Sequence, residues 1–134
     1  MAYLIGVSLA LAISLMARIV GLDRDRAFYP TVMMVIALLY CLFAVMGGSM
    51  QALGTESVPA VAFLLVSILG FRVNLWFVAG ALFAHGVFDG IHHHFISNPG
   101  VPVWWPPFCL TYDITAAGYL AWLIRSSKVA AKAG

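Results

Sequence analysis

Charged side chains are scarce in this chain. Lysine, arginine, aspartate and glutamate make up 9% of its 134 residues, where a soluble domain carries about 25%. Hydrophobic residues account for 63% and the mean hydropathy is +1.01. A globule of this length cannot hide so much apolar surface, which points to an integral membrane protein, expected in a bacterial inner (plasma) membrane. The formal charge of +2 and the lack of a basic, aromatic-rich patch exclude nucleic acid as a partner.

Other absences narrow the chemistry. The only cysteines, Cys41 and Cys109, lie in different apolar segments and form no CxxC pair, so buried free thiols are expected. The N-terminus lacks the positive n-region of a secretory signal, and the first helix is expected to be retained. There is no glycine-rich phosphate loop, no nucleophile elbow and no HExxH motif, and the methionines have no copper-transfer spacing. Four histidines are too few for the di-iron centres of the histidine-rich membrane desaturases. No internal repeat stands out, which argues against an inverted-repeat transporter.

What remains is five apolar stretches, read as an all-α, integral membrane bundle of five transmembrane helices forming one domain over residues 1–134. They cover about 2–20, 30–46, 56–69, 74–95 and 107–123. Gly47-Gly48-Ser49 ends the second, Ser57-Val58-Pro59 resembles the start of the third, and Asn74 suits the cap of the fourth. The third is the shortest, below the ~20 residues a span needs, so it either crosses a thin membrane or re-enters it. Trp104 and Trp105 suit a membrane interface. The charged loop Gly21–Arg26 reads as a solvated turn, and Arg125, Lys128 and Lys132 as contacts to anionic headgroups.

With five spans, all seven cations (Arg18, Arg24, Arg26, Arg72, Arg125, Lys128 and Lys132) fall on one side. The positive-inside rule makes that side cytoplasmic, with the N-terminus outside and the C-terminus inside. A four-span arrangement would divide the cations between both faces.

Against this background every histidine lies within ten residues. His85, Asp89, His92 and His93 share one helical face by their three- and four-residue spacing. An ionisable group inside the hydrocarbon costs roughly 2.5–3.5 kcal/mol on insertion scales, so such residues need partners, a metal or water. At 1.5 Å per residue His85 lies roughly 15 Å inward of Phe95, and His92 about 5 Å inward. Cys109, Tyr112 and Asp113 fall at a similar depth on the returning helix. Glu56 reads as a helix N-terminal charge favoured by the macrodipole, and Tyr40 as glue between helices.

Three chemistries fit these groups. His85, Asp89, His92, His93 and Asp113 could ligate a divalent transition metal such as Zn, Fe or Cu. The imidazoles and Asp89 could relay protons. Asp89 and Asp113 could act as a catalytic acid/base pair on a lipid headgroup or amphipathic substrate. His92, His93 and His94 point roughly 100° apart, so at least one faces elsewhere. A non-catalytic reading also stands: the small-residue stripe Gly6, Ala10 and Ser14 lets another helix approach closely. It could dock a second copy of the chain or a larger membrane complex, making the protein an accessory subunit.

Overall fold

The computed structural model describes residues 1–134 as five helices: α1 (Ala2–Val20), α2 (Phe28–Met46), α3 (Met50–Arg72), α4 (Trp76–Phe95) and α5 (Trp105–Arg125). They run up and down through short connections. α4 packs against α3 and α5, with a smaller contact to α2, while α1 lies on the other flank of α5. Three helices, α1, α2 and α3, are long and apolar enough to cross a membrane. α4 and α5 have 20 and 21 residues, but the polar groups that they bury dilute their hydropathy.

The third helix is the longest, not the shortest. It has 23 residues, about 34 Å at 1.5 Å per residue, enough for a ~30 Å hydrocarbon core. Its cap is Ser49, whose side chain accepts from Ala52 N at 3.1 Å. Pro59 therefore lies inside the helix instead of opening it. Proline cannot donate to the carbonyl four residues back, yet Ser57 and Thr55 hydroxyls, donating to Leu53 O (2.6 Å) and Gln51 O (3.0 Å), tie the same stretch together. Helix α5 likewise begins two residues before Pro107 and ends two beyond Leu123. The N-cap of α4 is Leu75 and not Asn74, whose side chain instead accepts from Trp76 N at 3.0 Å just ahead of the helix.

Packing is inside-out relative to a water-soluble bundle. The buried residues of α1 are Gly6, Ala10, Ser14 and Ala17, while Leu4, Leu11, Leu15 and Ile19 face outward. A Cβ on Gly6 would collide with Thr111 Oγ1 and the carbonyl of Phe108. Gly6 of the small-residue stripe thus lies directly against α5 of the same chain.

One end of the bundle carries all the cations, and it is tied together more firmly than a solvated turn. Arg26 donates to Phe71 O (2.8 Å), Ala130 O (2.9 Å) and Ala131 O (3.0 Å), joining the α1–α2 loop to the end of α3 and to the C-terminal tail. Asp23 is buried beside Arg18, which also reaches Lys128 O at 3.3 Å. The tail then pairs back at Asn74 and Lys132. These residues serve as a clasp at the basic end.

Gly6→Val should force α1 away from α5 and lower the unfolding midpoint of the purified protein. Gly80→Ala, where a Cβ meets nothing within 4 Å, should instead raise stability by about 0.5–1 kcal/mol through helix propensity. Thermal unfolding followed by circular dichroism in detergent separates the two.

Candidate functional site

The end of the bundle away from the cations holds three buried carboxylates. Glu56 comes from α3, Asp89 from α4 and Asp113 from α5, each at most 1% exposed. On α4, His85, Asp89 and His92 stand at i, i+4 and i+7, the inward face, and are likewise buried. α4 and α5 approach closely here because Gly86 has no side chain: a Cβ would sit 2.9 Å from Ile114 Cγ1 and 3.1 Å from Leu110 O. That approach lets two helices share one set of polar groups.

Both aspartates converge on a single ring nitrogen. His85 Nδ1 lies 2.7 Å from Asp113 Oδ2 and 3.4 Å from Asp89 Oδ2. The Cys109 thiol, one turn before Asp113, points at Asp113 Oδ1 across 3.8 Å. Ligand atoms of His85, Asp89, Cys109 and Asp113 all lie within 4.8 Å of one another, and all four residues are buried. Tyr40 of α2 donates to Asp89 Oδ1 at 2.6 Å. Asp89 Oδ2 has no hydrogen-bond partner. A nitrogen carries one proton, so His85 Nδ1 cannot donate to both carboxylates at once.

A second pair lies one to two turns toward Phe95. His92 Nε2 is 2.6 Å from Glu56 Oε1, which also accepts from Asn98 Nδ2 at 2.9 Å. Asn98 donates as well to Tyr40 O at 3.0 Å, locking the α4–α5 loop onto α2. The Tyr40 ring stacks on His92, with centroids 4.0 Å apart and planes 9° from parallel. Tyr40 thereby joins the two pairs. Phe63 and Phe88 close around His85 and His92 edge-on.

A cavity of about 610 Å³ opens at this end, and Asp89 and His92 form part of its wall together with exposed His93 and half-buried Asn98. It is within the usual ~300–1,000 Å³ of ligand pockets.

The five residues expected as ligands are not gathered as one set. His85, Asp89 and Asp113 meet; His92 is taken up by Glu56; His93 is exposed, its ring beside that of His94 at 3.9 Å between centroids. Side chains 100° apart on α4 diverge in this way. Three residues carry more than the sequence suggested. Glu56 is buried in the second turn of α3 as an acceptor for His92 and Asn98, and not a solvated charge at a helix start. Cys109 joins the central group, as its i−4 spacing from Asp113 allows. Tyr40 bonds Asp89, and the one available signal was a lone hydroxyl in the middle of an apolar helix.

The charge balance decides what the site can do. His85 and His92, even both protonated, neutralise two of the three carboxylates, and every lysine and arginine lies at the other end. Burying an uncompensated charge costs several kcal/mol, so the group is built to take up one more cation or proton. No known protein family, curated protein or solved structure matches the chain.

Tyr40→Phe should leave Asp89 Oδ1 unsatisfied as well and cost about 1–3 kcal/mol. Chemical denaturation against the wild type reads this. An unchanged unfolding free energy would mean that the hydroxyl does not hold the carboxylate.

Proposed function

We propose that this is a five-span membrane protein that binds one divalent metal ion, zinc by the donor set, at His85, Asp89, Cys109 and Asp113. The observation that carries the reading is the convergence of two buried aspartates on His85 Nδ1, with Asp89 Oδ2 left unpartnered. A dication offsets the two carboxylates, and one imidazole, one cysteine sulfur and two carboxylate oxygens form a four-donor set of the kind zinc takes. Tyr40 then orients Asp89 from the second layer, as hydrogen-bond partners of metal-bound carboxylates do. When bound, such an ion would supply Lewis acidity, and an activated water only where one of the four protein donors gives up its place. Asp89 borders the cavity, so it is the ligand nearest a molecule held there, and Asp113 lies behind it.

Membrane embedding is supported by three apolar helices of spanning length and by the outward-facing leucines and isoleucines of α1. In this reading α4 and α5 complete five spans, their polar faces turned inward onto one another. By the positive-inside rule we read the cation-bearing end as the cytoplasmic side of a bacterial plasma membrane, with the site opening on the opposite side.

Proton handling is the second reading. One observation favours it: polar contacts link Asn98, Glu56 and His92 in one run and Tyr40, Asp89, His85 and Asp113 in another, and the stacked rings of His92 and Tyr40 bring the two runs together.

Protein purified without chelators should carry one zinc per chain by mass spectrometry of the metal. His85→Ala, Asp113→Asn and Cys109→Ser should each reduce the content at least tenfold, while His93→Ala and His94→Ala should leave it unchanged. Equal loss from the exposed histidines, or no retained metal in any preparation, would sink the zinc reading and leave the proton series.

A further inference from the structure

A second opening reaches the same group from the side. Between α1, α2 and α5 runs a groove of about 340 Å³, lined from Phe28 to Leu39 along α2 and faced by Phe108, Cys109 and Tyr112 of α5 and Ile13 of α1. Apart from Thr31 every lining residue is hydrophobic. Its α2 wall follows one stripe, three and four residues apart, so the groove lies along the helix axis. From residue 28 to residue 39 it extends about 16 Å at 1.5 Å per residue. That is about half of a ~30 Å hydrocarbon core, the reach of a chain in one leaflet. The lip is exposed, Val35 being 56% so. Cys109 belongs to both features: it borders the groove and points its thiol at Asp113.

We propose that this groove holds one hydrocarbon chain of a membrane lipid, so that the metal site acts in contact with a chain-bearing, lipid-soluble molecule. The inference rests on the membrane-embedded reading above. Direction, length and lining all match a chain lying along the bilayer normal, and polar atoms among the lining residues are confined to the side chains of Thr31, Trp105, Cys109 and Tyr112. The polar cavity, whose wall includes Asp89, and the apolar groove, whose wall includes Cys109, border the central group on different sides. One admits water and ions, the other a chain.

The test uses the full chain in nanodiscs containing a phosphatidylcholine with a diazirine at the end of one acyl chain. After illumination, crosslinks are mapped by peptide mass spectrometry. They should concentrate on peptides covering 28–39 and 105–112, at least fivefold over the outward face of α1. Val32→Trp, which fills the groove, should abolish that excess while crosslinks elsewhere persist. Val35→Trp at the exposed lip provides a second block should Val32→Trp fold poorly by circular dichroism. An even spread of crosslinks, or an excess that survives both substitutions, overturns the proposal. Zinc content measured on the same samples keeps the two readings apart: absent zinc with groove-specific crosslinks defeats the metal site alone, and bound zinc with evenly spread crosslinks defeats the lipid chain alone.

Discussion

Two negative charges competing for one imidazole proton set the terms for the rest of this molecule. Asp89 and Asp113 come from different helices, are fully buried, and meet at His85 Nδ1 with no arginine or lysine to share. Such an arrangement is unfavourable unless something positive enters it. The surrounding structure holds the groups in place despite that cost. Gly86 brings α4 and α5 together, Tyr40 grips the far oxygen of Asp89, and Phe63 and Phe88 keep the rings from turning away.

The remainder of the bundle supports this centre from both ends. At the basic end Arg26 joins the first loop, α3 and the tail, so the helices that supply the site cannot splay at their far termini. At the other end Asn98 ties the α4–α5 loop to α2 and, through Glu56, to α3. Glu56 and His92 form a pair behind the cavity wall, and Glu56 Oε2 and Asp89 Oδ2 are both buried without a hydrogen-bond partner. α1 contributes no site residue; its small face closes α5, and its large side chains face outward.

Much of this was legible in the residues. The number and order of helices follow from hydropathy, and the three- and four-residue spacing placed His85, Asp89 and His92 on one face of α4. The start of α3 was not legible, because a proline after a serine reads as a helix opening. A Ser49 cap followed by small and polar residues instead carries the helix through Pro59. That error displaced Glu56 to a helix terminus and hid its pairing with His92. Cys109, read first as a buried thiol, and Tyr40, read as glue between helices, were underrated for another reason. Each is a single weakly polar group on an apolar helix, and its part in the site depends on lateral packing that periodicity within one helix does not encode. His93 fits the α4 spacing as well as His92 does, and only the position of α3 decides between them.

The central claim is that the buried aspartates, His85 and Cys109 form one cation-binding group. Zinc K-edge X-ray absorption of the loaded protein tests it most directly. The account predicts a four-coordinate shell with one sulfur at about 2.3 Å and three nitrogen or oxygen neighbours at about 2.0 Å. A shell without sulfur, or one of six oxygens typical of a surface-bound ion, would contradict it.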